Sequence, residues 1–262
     1  MTTMLRPRRR ALTLWAATAA LALTAAGCGG DDDGPTNPGG RTDRFDEATA
    51  LAQAQTAAPQ AVSLVESMTA IAAGFTKDDE KDYAWNPETQ RWEYTYQFTG
   101  EGYVYDWSYT VQYRDGTGAP QQNAAGAASV AHDMHGVGSF HYEDGSTVLD
   151  YDYVWDYSTT IAGLGTGTLV MTGNGGQDID YTYTSPQGNQ SARYAATWEV
   201  LAPGITVSGG GCPVGTIRYD FAPYSVTVVF DGTGTATATM RDAGGNVVPE
   251  GSGTHPLSCA VR

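Results

Sequence analysis

After residue 80 the chain alternates between large apolar residues and polar ones. Between residues 103 and 113, and again between 149 and 157, an aromatic or aliphatic residue occupies every second position. A period of two is typical of a β-strand with one face buried and the other in water. The pattern predicts eight such strands, within 92–98, 103–113, 149–157, 179–183, 194–200, 217–221, 226–230 and 236–240.

Short runs of Gly, Asn, Asp and Pro separate the predicted strands. Asp144-Gly145, Asn174-Gly175-Gly176 and Asp231-Gly232 are examples, and each suits a tight turn. No stretch after residue 80 predicts a helix long enough for a parallel crossover. We therefore predict a mainly β fold, an antiparallel meander that forms an open curved sheet, a half-barrel or a sandwich.

The period is different ahead of the strands. Leu64, Val65, Met68 and Ile71 follow helical spacing, and Pro59 interrupts the stretch. This predicts one helix or a broken pair of helices over residues 46–73. Its apolar stripe is narrow and rich in alanine, so it can cover one face of a sheet but cannot form a core alone. We expect residues 45–262 to be a single β-rich domain with this helical segment at its N-terminus.

The first 28 residues have the order of an export signal. Four arginines occur within residues 6–10, residues 11–26 are uncharged, and Gly27 and Cys28 follow. The apolar run corresponds to about 24 Å of helix, which is marginal for spanning a bilayer. We expect residues 1–27 to be a removable signal peptide.

The end of this segment, residues 23–28, reads Leu-Thr-Ala-Ala-Gly-Cys and resembles the lipobox of bacterial lipoproteins. In that family small residues precede a cysteine that becomes the lipidated N-terminus. Ala25 departs from the leucine usually found three places before the cysteine. The resemblance implies that Cys28 carries acyl chains such as palmitate and anchors the protein to a membrane that faces an extracytoplasmic space, the periplasm in a cell with two membranes. The alternative is a plain secretory signal, in which Cys28 stays an ordinary cysteine.

Residues 28–44 follow the signal and contain Gly, Pro, Asp and Thr without a large apolar residue. Such a composition cannot form a core and predicts a flexible tether. Gly29, rather than an aspartate, follows the cysteine. By resemblance to enteric lipoproteins, this favours the outer membrane.

The charge of the mature chain limits its partners. Removal of residues 1–27 leaves 10 of the 14 basic residues against all 29 acidic ones, a net charge of −19. That charge repels nucleic acids and anionic lipid headgroups. We therefore exclude a nucleic-acid partner and expect contact with the membrane through the N-terminal lipid.

Two cysteines remain once Cys28 is assigned to the lipid. In an oxidising compartment, Cys212 and Cys259 are expected to form a disulfide. Closing a loop of this length stabilises a fold by about 4 kcal/mol on the chain-entropy model.

The apolar face of the predicted strands contains more Tyr and Trp than Ile and Leu. Each buried hydroxyl needs a hydrogen-bond partner, which disfavours so many tyrosines in a closed core. One interpretation is a set of aromatic cross-strand ladders that stabilise the strands. The other is a concave face that binds an amphiphilic or sugar-like ligand. In the second case the helix over 46–73 closes a cavity lined by Trp107, Tyr109, Tyr151, Tyr153 and Trp155.

Motifs for common catalytic chemistries are missing from the sequence. There is no GxSxG, HExxH or GxxxxGK[ST] motif, and no GxGxxG opens a helix. In a strand His135 and His141 would share a face while His132 points the other way, so three imidazoles do not converge on a metal. We name no catalytic residue, no cofactor and no metal site.

Three aspartates, at 150, 152 and 156, share the polar face of one predicted strand. Neighbours two positions apart are separated by about 6.8 Å along a strand, whereas calcium needs six to eight oxygens at about 2.3 to 2.6 Å. An acidic solvated face is therefore the simpler interpretation.

Two hypotheses about function follow. The first is a non-enzymatic binding or carrier lipoprotein for an amphiphilic or apolar ligand, similar at the level of fold to periplasmic lipoprotein carriers such as the Lol chaperones. The alternative is a structural or surface-interaction lipoprotein without a small-molecule pocket, with an unidentified protein partner. An uncharacterised hydrolase is the third choice.

Overall fold

The computed structural model describes residues 47–72, 83–100, 102–186 and 188–259. The predicted signal peptide, Cys28 and the predicted tether lie outside these residues. Within these residues one helix precedes thirteen strands, and every strand pairing is antiparallel. The predicted mainly β meander with an N-terminal helix is confirmed.

The helix α1 spans Glu47–Ala72. The strands are β1 (Ala84–Asn86), β2 (Arg91–Gly100), β3 (Tyr103–Arg114), β4 (Pro120–Gln121), β5 (Ser129–Asp144), β6 (Thr147–Ala162), β7 (Thr168–Ser185), β8 (Gly188–Val200), β9 (Ile205–Ser208), β10 (Val214–Phe221), β11 (Tyr224–Asp231), β12 (Thr235–Arg241) and β13 (Val247–Pro256).

Strands that follow one another in sequence are mostly neighbours in the sheet. The order is β1-β2-β3-β5-β6-β7-β8-β10-β11-β12-β13, with β4 beside the end of β3. Strands β8 and β9 both pair with β7, β8 with its C-terminal part and β9 with residues 168–171. They therefore lie end to end, separated by residues 201–204.

The helix supplies the second layer of the core. Its buried residues recur every three or four positions and are mostly alanine: Ala50, Ala54, Ala57, Ala61, Leu64 and Met68. This stripe packs on β10–β13, where Val226, Val228, Phe230 and Met240 are at most 1% exposed. Pro59 lies inside one continuous helix, so a broken pair does not form. The described residues contain no helix with the length and apolar character that a membrane span requires.

Strand β5 has no counterpart among the predicted strands. Its positions facing the aromatic residues of β3 and β6 include Gly136 and Gly138, which give no apolar alternation and have low strand propensity. The space is filled by neighbouring rings: a Cβ added at Gly138 would lie 2.4 Å from Cζ of Tyr153. Glycine here allows an aromatic ring to lie over the backbone.

The turn predicted at Asn174-Gly175-Gly176 is wrong, because these residues lie inside β7. A Cβ added at Gly175 would lie 2.5 Å from Nε1 of Trp198 and 2.7 Å from the carbonyl oxygen of Asp156. The glycine therefore permits close packing in a continuous strand rather than a change of direction.

The two remaining cysteines pair as predicted. The sulfur atoms of Cys212 and Cys259 lie at bonding distance, 2.02 Å, and link the segment before β10 to the segment after β13. The amide of Ser258 donates a hydrogen bond of 2.8 Å to Oε1 of Glu66, so the same tail also contacts α1.

Candidate functional site

Aromatic side chains cover one side of the sheet from β2 to β6. The strand register places them on the same side, because residues directly opposite each other share a face. We call this surface the aromatic face; its residues are Tyr96, Phe98, Tyr103, Tyr105, Trp107, Tyr109, Phe140, Tyr151, Tyr153 and Trp155.

The rings at the centre of the aromatic face contact one another. Trp107 and Trp155 meet across Gly136 with ring centroids 5.5 Å apart and an interplanar angle of 62°. Nε1 of Trp107 donates a hydrogen bond of 3.4 Å to the Tyr153 hydroxyl, and the Tyr151 ring lies 5.8 Å from that of Tyr153. Four of the five predicted ligand-binding residues therefore form one group.

Tyr109, the fifth predicted residue, shares this side of β3 but lies nearer the interior. Its hydroxyl is hydrogen-bonded to Nδ1 of His132 at 2.8 Å, and the Tyr83 ring packs 5.8 Å away. Burial raises the pKa of the Tyr109 hydroxyl well above its ordinary value. Tyr109 therefore belongs to the packed end of the face.

The aromatic face remains accessible in the part of the chain that the structure describes. All five predicted residues are half-buried, while Phe98 and Tyr103 are 43% and 40% exposed. The prediction that the helix closes over these rings is wrong, since the principal contacts of α1 are with β10–β13. The alanine stripe of α1 fits the small residues of those strands, such as Ala236 and Ala238, more closely than a row of rings.

The aromatic face is uncharged but not free of polar atoms. Among the described positions on this side of β2, β3, β6 and β7, none is Asp, Glu, Lys or Arg, and β5 contributes a single acidic residue, Asp144, at its last position. Burial raises the pKa of Tyr151 and of Tyr153 to about 12, although the hydrogen bond from Trp107 acts in the opposite direction on Tyr153. The hydroxyls are therefore neutral donors at physiological pH.

The opposite side of the same strands carries the charges. Asp133 of β5 accepts hydrogen bonds from Ser158 Oγ (2.7 Å), Arg91 Nη1 (3.0 Å) and Thr110 Oγ1 (3.4 Å), which joins four adjacent strands. An open depression of about 450 Å³ surrounds this group and is lined mainly by small polar side chains and glycine. We call this side of the sheet the polar face.

Two histidine–aspartate pairs also lie on the polar face. Nδ1 of His135 is 2.7 Å from Oδ1 of Asp156, and Nδ1 of His141 is 2.6 Å from Oδ1 of Asp150. His132 lies on the other side of β5, as the strand pattern predicts. The hydrogen bond that His141 donates to the Asp150 carboxylate raises the pKa of His141. No group of three or more His, Cys, Asp or Glu side chains among the described residues is arranged to hold a metal ion.

Sequence reasoning missed part of the aromatic face. Phe140 was not predicted because β5 was not predicted, yet its ring lies 4.4 Å from that of Tyr103. Phe98, Tyr103 and Tyr105 lie in predicted strands, but their place beside the other rings depends on the register. Alternation indicates which residues share a face and leaves open which strands are neighbours.

Comparisons of the chain with protein-family models, with curated proteins and with solved structures give no match. The features that bear on function are therefore the two faces of its own sheet. One is aromatic and uncharged, and the other is acidic and hydrated.

Proposed function

We propose that the protein is a lipid-anchored extracytoplasmic lipoprotein that binds an amphiphilic or apolar ligand on its aromatic face without catalysing a reaction. The observation that carries the proposal is a row of half-exposed rings on an uncharged surface away from the main contacts of α1. The order of charged, apolar and small residues before Cys28 supports the anchor.

The chemistry of the aromatic face fits an amphiphile. Each large ring offers about 150 to 250 Å² of surface, so two or three rings can cover an acyl chain or a flat ring system. The Tyr151 and Tyr153 hydroxyls lie among these rings and can hydrogen-bond the polar end of the same ligand. The charges of the polar face are separated from such a ligand by the thickness of the sheet.

The binding proposal is tested by removing two rings at once. Trp107→Ala with Tyr153→Ala should weaken saturable binding of a hydrophobic dye by at least about tenfold, because each ring provides contact area worth more than 1 kcal/mol. Val226→Ala, at a fully buried position under α1, is the matched control. It should lower the unfolding temperature and leave the dye affinity unchanged. An absence of saturable binding in the parent chain would refute the proposal.

The anchor is tested separately. Wild-type protein should partition into the detergent phase, whereas Cys28→Ala, which lacks the lipidation site, should appear in the aqueous phase. Equal release of both from membranes would contradict lipidation at Cys28.

The alternative is a structural or surface-interaction lipoprotein. It is favoured by the contacts between the rings themselves. It is also favoured by the position of the depressions, since one of about 450 Å³ lies on the polar face and one of about 390 Å³ is lined by residues of both faces, including Tyr103 and Phe140. On this alternative the rings serve the fold, and each aromatic truncation should cost about 3 to 5 kcal/mol of stability. Unfolding measurements on Trp107→Ala and Tyr153→Ala, made beside the dye titration, distinguish the two functions.

A further inference from the structure

The outer edge of strand β2 has no part in the functions discussed for the aromatic face and the polar face. Strand β1 pairs only with the first three residues of β2, and no other described strand lies along this edge from Tyr94 to Gly100. Residues 95–99 are all exposed. Backbone N–H and C=O groups on such an edge are available to another strand.

This edge lacks the usual protection against strand addition. Residues 94–100 read Tyr-Thr-Tyr-Gln-Phe-Thr-Gly, with no charged residue and no proline. The pairing of β2 with β3 runs from Trp92 to Gly100 without a bulge. Edge strands that avoid partners usually carry lysine, proline or a bulge, whereas uncharged aromatic and β-branched residues favour pairing.

The same segment is nearly symmetric about Gln97. If a second copy of β2 pairs antiparallel and in register at Gln97, Thr95 lies opposite Thr99 of the second copy. Tyr96 then lies opposite the second copy's Phe98, and each Gln97 lies opposite the other. Thr–Thr and aromatic–aromatic pairs are favourable across antiparallel strands, and no like charges meet among these residues. A two-fold axis requires this kind of self-complementary surface.

We propose that the protein forms a symmetric dimer in which the β2 edges of two copies pair antiparallel, centred on Gln97. The sheet then continues from one copy into the other. The aromatic faces join at Tyr96 and Phe98, which are 41% and 43% exposed in the single chain. The dimer depends on neither the lipid anchor nor a ligand.

The register is tested with single cysteines in the mature chain carrying Cys28→Ala. Directly opposite residues have Cα atoms about 4.5 to 5.5 Å apart, which is within reach of a disulfide. Gln97→Cys should therefore cross-link to itself under mild oxidation. Thr95→Cys and Thr99→Cys should each stay uncross-linked alone and should cross-link when mixed. Equal cross-linking of all three variants alone, or none for Gln97→Cys, would overturn the proposal.

Charge substitutions test the same contact without a covalent bond. In the parent chain at about 100 µM, above the micromolar Kd of weak interfaces, sedimentation should give the mass of a dimer. Thr95→Glu with Thr99→Glu places like charges opposite each other and should give monomers. Thr95→Glu with Thr99→Lys changes the same two positions but pairs opposite charges, and should remain dimeric.

Three results would refute the dimer. A parent chain that is monomeric at this concentration would do so directly. A dimer that survives Thr95→Glu with Thr99→Glu would place the interface elsewhere. A series of larger oligomers would indicate head-to-tail addition instead. Dye binding by a monomeric chain would leave the proposed function standing while the dimer fails.

Discussion

Two regions of the sheet have the same alternation of apolar and polar residues, but their apolar side chains are buried to different extents. In β11 and β12 every second residue is buried, and Val226, Val228 and Phe230 are at most 1% exposed. In β2 no residue is buried, although Tyr94, Tyr96 and Phe98 alternate just as regularly. The difference is the helix, because a sheet face becomes a core only where a second layer covers it.

The side chains in the two regions suit these environments. Apart from Tyr224 at the start of β11, the buried residues of β11 and β12 are Val, Ala, Met and Phe, whose side chains need no hydrogen-bond partner when α1 covers them. The aromatic face presents Tyr and Trp, which combine an apolar ring with a group that hydrogen-bonds water, a neighbour or a ligand. Leaving a side chain partly exposed to water therefore costs less free energy of folding on the aromatic face than it would under the helix.

The largest difference in stability is expected when phenylalanine is replaced by alanine once under the helix and once on the aromatic face. Phe230→Ala removes a ring that is 1% exposed and should cost about 3 to 5 kcal/mol. Phe98→Ala removes a ring that is 43% exposed and should cost about 1 kcal/mol or less. Urea unfolding of both variants measures the difference. Similar losses would show that the aromatic face is as tightly packed as the core.

The contact between helix and sheet is tested by enlarging an alanine. Ala57 is 0% exposed, so Ala57→Leu should overpack the interface and cost about 1 to 3 kcal/mol. Gln55→Leu adds the same side chain on the exposed side of α1 and should stay within about 0.5 kcal/mol of the parent. Thermal unfolding of both variants provides the comparison, and equal effects would contradict the position of α1.

A smaller effect is expected where a glycine makes room for a ring. Gly138→Ala would bring a Cβ within 2.4 Å of Tyr153, so the ring must move, at a cost of about 1 kcal/mol. Because the Tyr153 hydroxyl accepts a hydrogen bond from Trp107, tryptophan fluorescence should change as well. Gly116→Ala, which meets no atom within 4 Å, is the control and should change neither property.

The smallest expected effect is a dependence of stability on pH that arises from one histidine–aspartate pair on the polar face. The hydrogen bond to Asp150 raises the pKa of His141 above its ordinary value. The pair therefore stabilises the folded state fully below the pKa of an unfolded histidine, and this contribution is lost as pH rises through the raised pKa of folded His141. NMR titration should show the midpoint of His141 falling in Asp150→Asn and unchanged in Asp156→Asn. An unchanged midpoint in Asp150→Asn would contradict the pairing.

Strands with an uninterrupted apolar alternation could be predicted, as the segments around 103–113 and 226–230 show. Strand β5 and the middle of β7 could not, because Gly136, Gly138 and Gly175 occupy positions where an apolar side chain would have given the signal. Their role becomes visible only in the folded sheet, where the rings of Trp107, Tyr153 and Trp198 lie over Gly136, Gly138 and Gly175 respectively. From local sequence alone, glycine predicts a turn. In the folded protein these glycines lie inside strands and allow a neighbouring ring to approach the backbone closely.

The sequence by itself determined the mainly β class, the faces of the strongly alternating strands, a helical segment ahead of them and the pairing of Cys212 with Cys259, whereas the continuity of that helix through Pro59 came from the structure. These depend on local periodicity or on elimination among few residues. Only the tertiary structure decided that Trp107 meets Trp155 across β5, and that α1 covers β10–β13 instead of the rings. The local pattern determines the face of the sheet to which a side chain points. Which residue it contacts depends on strand register and on long-range packing, and many arrangements of strands are compatible with the same local pattern.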